Sequence, residues 1–108
     1  MANIVNMRQR PDLRRLVERR PEHGSLVRID RRTRWGNPFV IGRDGDRARV
    51  IELYRRELWR RIRAGEIALD DLAALNSKTL LCHCHPLPCH GDVLARAAAW
   101  SAARLGRT

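Results

Sequence analysis

A chain of 108 residues has room for one domain with one modest core, and its 44% hydrophobic content excludes wholesale disorder. No apolar run approaches the roughly 20 residues that a membrane span needs. The formal net charge of +10, from 22 basic residues against 12 acidic ones, gives a field that draws polyanions.

Residues 2–6, ANIVN, form a short β-prone run that suits a first or edge strand. The opening segment MANIVNMRQRPDLRR has no apolar stretch of the secretory-leader kind, so a cytoplasmic protein is expected. Pro11 and Asp12 open a polar segment to Arg20 in which Leu13, Leu16 and Val17 keep helical spacing. Pro21 and Gly24 punctuate residues 19–25 as a loop, and Leu26 to Asp30 alternates as a half-buried strand should. After the turn at Asn37-Pro38, residues Phe39, Val40 and Ile41 are expected to add another short strand.

The turn 43–46 ends on Asp46, a good N-cap, and Val50, Ile51, Tyr54, Leu58 and Ile62 then keep i, i+3/i+4 spacing. The spacing predicts a helix over 47–63, with Gly65 in the position that favours a left-handed residue. Arg49, Arg56, Arg60 and Arg63 lie on its outer face, either as solvated charge or as a nucleic-acid-binding surface. Leu69 to Leu75 predicts a short helix, Asn76-Ser77 a turn, Thr79 to Cys82 a strand, and Asp92 to Arg104 an alanine-rich helix. Val93, Leu94, Ala97, Ala98 and Trp100 lie on or near one face of that last helix.

The order β, α, β, β, α, α, β, α describes a single α/β domain over 1–108, with a short central sheet flanked by helices. A ligand loop is expected at the C-terminal end of strand 79–82, where open α/β sheets bind small molecules.

That loop is the most unusual part of the chain. The stretch 78–92, KTLLCHCHPLPCHGD, holds all the cysteines and most of the histidines together with two prolines. Several chemistries suit it. Cys82, Cys84 and Cys89 can be small buried hydrophobes, with Pro86 and Pro88 stiffening a turn. Cys82, Cys84 and Cys89 with His85 or His90 can make a zinc site, which would make the protein a zinc-stapled interaction module. Cys89, just ahead of a helix N-terminus and beside His90, can be a reactive thiolate with His90 or His85 as its base. Redox sensing through Cys82 and Cys84 is the remaining reading. Gly91 allows close backbone approach, and Asp92 can open the helix whose first N–H groups favour an anion.

The second unusual string is RRTRWGNPF, 31–39. Trp35 can be a lid over the core, or it can stack on a base while Arg34 and Asn37 bind phosphate or a base edge. Gly36 can take a positive φ, and Pro38 biases Asn37 towards an extended conformation. If this loop meets the cysteine loop, the two form an aromatic, cationic and thiol-lined pocket. A nucleotide or one flipped base of a nucleic acid suits such a pocket better than an apolar metabolite does.

The strings RWGNPF (34–39) and LLCHCHPLPCHGDVL (80–94), separated by a helix containing Tyr54, resemble the domain of unknown function family numbered 4326, over about residues 26–98. That family comprises small bacterial and phage proteins. The cysteine loop is also similar to the strand–Cys–His–helix segment of the uncharacterised family numbered 488, which implies a compact α/β fold. Neither resemblance implies an activity. Two departures stand out: His83 occupies a position that is commonly aromatic in the family, and Arg31-Arg32-Thr33 replaces a glycine-rich segment, implying a more basic pocket here.

Overall fold

The structure is a computed structural model in which residues 1–107 are described. Four strands, β1 (Asn3–Asn6), β2 (Glu22–His23), β3 (Leu26–Arg28) and β4 (Thr79–Cys82), form one mixed sheet in the order β1-β4-β3-β2. β4 is parallel to both neighbours, pairing Ile4 with Leu80 and Val27 with Leu80, whereas β2 and β3 form an antiparallel hairpin. Four helices complete the domain: α1 (Pro11–Leu16), α2 (Arg47–Arg63), α3 (Leu69–Ala74) and α4 (His90–Arg104). None is long and apolar enough to cross a membrane.

β4 is central because it is apolar on both faces, as a parallel strand covered on each side must be. Leu80 and Cys82 point into the main core with Ile29, Tyr54, Leu58, Leu72 and Leu94, and Leu81 points to the other face. There it meets Met7 and Val17, with Leu13 of α1 packed alongside. Alanines at 95, 97, 98 and 102 keep α4 slim where it buries against its neighbours.

The predicted α2 is found with the expected bounds. Asp46 accepts a hydrogen bond from the Arg49 N–H at 2.8 Å, and Gly65 has φ +75° just past the helix end. Two expectations about strands are corrected. The loop expected over 19–25 contains β2, since Gly24, at φ +58°, turns the chain back onto β3. The strand expected at 39–41 does not form, because the Asp44 carboxylate takes the Val40 N–H at 2.8 Å and Val40 C=O accepts from Arg43 and Asp44. Only an isolated bridge, Ile41 to Gly45, remains. The element order therefore matches the expectation while one of its strands lies on the other side of β3.

Gly36 is also selected for a different reason from the one expected. Its φ is not positive; instead, a Cβ there would lie 2.5 Å from the Asp30 carbonyl oxygen and 2.6 Å from the Arg31 Cα. Backbone atoms cannot yield as a flexible side chain can. Gly36→Ala should therefore cost about 3 kcal/mol in chemical denaturation. Gly24→Ala, with open space around it and only an unfavourable φ, should cost about 1–2 kcal/mol. Equal costs at the two positions would show that close approach is not what requires glycine at 36.

Candidate functional site

A cavity of about 150 Å³ lies where β4 ends and α4 and α2 begin. Phe39, Ile41, Val50, Ile51 and Pro88 give it an apolar side, and Asp30, Arg31, Asn37, Arg47, His83 and the thiols of Cys82, Cys84 and Cys89 supply its polar groups. His90 completes the lining, so the two unusual strings of the sequence do meet in one cleft, through Asn37 and the segment 82–90.

The cysteines are held in distinct ways. Cys89 is the N-cap of α4: its Sγ accepts the Gly91 N–H at 3.2 Å, while the Asp92 carboxylate takes the Cys89 N–H at 3.1 Å. This is a reciprocal capping box with sulfur in the place usually taken by oxygen. Cys82, at the end of β4, is approached by the His85 N–H at 3.5 Å. The backbone N–H groups of His85 and Cys84 favour charge on Cys82 against its burial. The Gly91 N–H does the same for the buried Cys89 sulfur. Cys89, expected as a reactive thiolate beside His90, lines the cavity with that histidine, and its sulfur carries the first helix N–H of Gly91.

His90 is buried and donates from Nε2 to the Ile29 carbonyl at 2.7 Å, which fixes its tautomer and leaves Nδ1 as an acceptor 3.7 Å from Cys89 Sγ. Burial lowers its pKa, so it stays neutral. His83 Nε2 meets Asp30 at 3.1 Å. Asp30 in turn binds the Nε of Arg28, at 2.9 and 2.8 Å to its two oxygens, and Arg28 is only 6% exposed. Burial would raise the Asp30 carboxyl, but hydrogen bonds from Arg28 and His83 hold it below its ordinary value.

Other expected site residues have structural posts. Trp35 is 6% exposed and belongs to the main core, so its ring offers no stacking face. Arg34 lies 4.7 Å over that ring and pairs with Asp71 at 3.4 Å, away from the cavity. Gly91 is buried against Ile29 and Ile4, and Asp92 closes the cap; neither lines the cavity. The anion site expected at the start of α4 is thereby occupied by the chain itself. The zinc ligand set is not assembled either. Among the described residues no three His, Cys, Asp or Glu side chains converge as a metal site; His90 is turned to Ile29, and His85 lies outside the cavity.

Asp30, Phe39 and Arg47 were not singled out as site residues by the sequence. Arg47 carried a signal in hindsight: it follows the Asp46 cap, at the end of α2 that faces the loop strings. Arg31 was flagged by its departure from the glycine-rich pattern. Asp30 had only its place at the end of β3.

The profile of the family described as "Domain of unknown function (DUF4326)" matches residues 14–100. The chain belongs to that family. It is 46% identical over 70 residues to an uncharacterised 12.4 kDa protein from the nrdA-td intergenic region of Enterobacteria phage T4. The match covers 64% of this chain and 63% of the phage protein, so the chain spans less than two thirds of that relative. No solved structure matches the chain.

The buried Asp30 carboxylate makes a pH prediction. Because its folded pKa is depressed, its contribution is complete above the ordinary carboxyl range and is lost as pH falls through the folded value. Asp30→Asn should cost about 3–5 kcal/mol at pH 7, since it leaves the Arg28 charge buried and unpaired. Unfolding curves should also show the wild type losing more stability than Asp30→Asn between about pH 4 and pH 2. Parallel losses in the two proteins would mean that Asp30 is not ionised through this contact.

Proposed function

We propose that this protein binds a nucleotide, with its base in the cavity and its phosphate on arginines at the rim. The observation that carries the reading is the junction of two spaces. The cavity is of the size that holds one six-membered ring. It shares Arg31, Ile41, Arg47, His83 and Cys84 with a wider groove of about 570 Å³ that also includes Arg8, Gln9 and His85. No acidic residue lines that groove.

The distribution of charge supports the same reading. Arg55, Arg56, Arg60 and Arg61 on α2 are engaged by Glu52, Glu57 and Glu66, so that surface is largely neutralised. Arg8, Arg31 and Arg47 have no carboxylate partner among the described residues. Arg31 is held by the carbonyls of Asn37 and Phe39, and Arg47 by that of Pro88, which orients both guanidinium groups without neutralising them. Fixed arginines of this kind favour phosphate by charge-assisted, two-point hydrogen bonding. In this reading Phe39, Ile41, Val50 and Ile51 contact the ring, and Asn37 shapes the loop through its bond to the Val50 carbonyl at 3.1 Å. The wider groove would take further phosphates of the same nucleotide or of a strand.

Titration of the four common nucleoside monophosphates by calorimetry tests this. A single-ring base should bind more tightly than a purine, and Arg8→Ala with Arg47→Ala should weaken binding at least about ten-fold, the worth of one charge-assisted contact. The melting temperature should move by a few degrees at most. Arg104→Ala, at the opposite end of α4, should leave affinity unchanged. Absence of saturable binding at millimolar nucleotide, or equal weakening by the Arg104 variant, would remove the proposal.

A further inference from the structure

The groove that continues from the cavity is apolar as well as basic. Ile41 and Leu87, which both line it, are 50% and 54% exposed, more than any other large hydrophobic side chain of the described residues except Met1. Val40 and Pro86 lie in the same wall. Apolar side chains gathered in one open groove mark a contact surface. A free nucleotide leaves them bare, because its base is in the cavity and its phosphate at the lip. We infer that the groove receives the adjoining nucleotide of a single nucleic-acid strand, with its base and sugar on Leu87 and Ile41 and its phosphates on Arg8, Arg31 and Arg47. The inference rests on the nucleotide reading of the cavity and names its substrate class, a strand with one base turned inward.

Charge selects this occupant. Arg8, Arg31 and Arg47 have no carboxylate partner among the described residues, and no acidic side chain lines the groove. A second copy of the chain would bring its own net charge of +10 to the same surface, so self-association there is opposed. A single strand supplies what the groove is built to meet: phosphates at regular intervals, with flat and weakly polar base faces between them. In a duplex those faces are stacked out of reach.

The walls are fixed before any strand arrives. Asn6, at the end of β1, joins two of them: its Nδ2 donates to the His85 carbonyl at 2.9 Å, and its Oδ1 accepts the Arg8 N–H at 2.8 Å. The Leu87 N–H donates to the Cys84 carbonyl at 2.9 Å, and Arg47 donates to the Pro88 carbonyl at 3.1 Å. The segment bearing Leu87 is thus tied on both sides, and little ordering is left for binding to supply.

Calorimetry on the full chain tests this, with thymidine monophosphate and a single-stranded oligothymidylate of about six nucleotides as probes. The strand should bind at least about ten-fold more tightly than the monophosphate, and its affinity should fall more steeply with salt. Leu87→Ser, at an exposed position, should keep the melting temperature and remove most of that gain, while monophosphate affinity stays within about two-fold. Inorganic polyphosphate and polyglutamate of matching charge should each displace the strand at least about ten-fold less well than unlabelled strand does. Equal affinity of strand and monophosphate overturns the inference, as does an undiminished gain in Leu87→Ser. Full competition by polyphosphate would show that the groove reads charge alone, and full competition by polyglutamate would assign it to an acidic protein segment; either result also overturns it. All these failures leave the nucleotide reading standing where the monophosphate still saturates. Loss of saturable binding by monophosphate and strand alike removes both.

Discussion

Tyr54 is the joint on which the site depends. Its hydroxyl donates to the Trp35 carbonyl at 2.9 Å, and its ring meets His90 edge-on with centroids 4.9 Å apart. His90 then reaches the Ile29 carbonyl beyond the end of β3. One buried side chain of α2 thus links the tryptophan loop, the start of α4 and the edge of the sheet. Buried hydroxyls and imidazoles are costly unless paired, so these partners fix one another's positions. Desolvation raises the Tyr54 pKa, which keeps the phenol a donor. Asn37 adds a second tie to α2 through Val50, and its side-chain oxygen takes the Phe39 N–H at 2.9 Å, turning the loop towards the cavity.

This arrangement divides the memorable residues of the sequence into two groups. Trp35, Gly36, Gly91 and Asp92 build the frame: the ring fills the core, the glycines allow close approach, and the carboxylate completes a cap. The groups left facing open space are less conspicuous in sequence, among them Arg31, Phe39, Arg47 and Cys82. A local motif can be unusual because it packs unusually, and here packing explains the tryptophan and glycine positions fully. The chemistry lies in the residues that the frame leaves uncovered.

Much of the fold was legible because local signals agreed. Asp46, the heptad-like apolar spacing and Gly65 set α2 to within its observed bounds, and the apolar run 79–82 set β4. The place of β4 inside the sheet follows from its lacking a polar face. What could not be read were contacts across the chain. No periodicity announces that Pro21 C=O will take the Arg28 N–H, which helps give the hairpin that adds β2. Nor does local pattern show that Arg28, an ordinary polar position in an alternating strand, will be buried with Asp30 and also reach the Val17 carbonyl at 3.4 Å. The sequence raised a common cleft of the two motifs only as a condition, and the direction in which each side chain points was not legible at all.

The capping of α4 by Cys89 shows why direction matters. From sequence, the cysteine beside a helix start and a histidine has the better claim to be a thiolate, since the helix end is positive. That argument assumes that the helix N–H groups serve the charge and that the sulfur is free to carry it. In the fold Cys89 is bound as a cap, its sulfur taking the Gly91 N–H at 3.2 Å and lying 3.7 Å from His90 Nδ1. The same capping removes the helix end as an anion site, because Asp92 and Cys89 close it from both directions. Positive charge beside the cavity then comes from side chains: Arg31 and Arg47 at its lip, each pinned by backbone carbonyls.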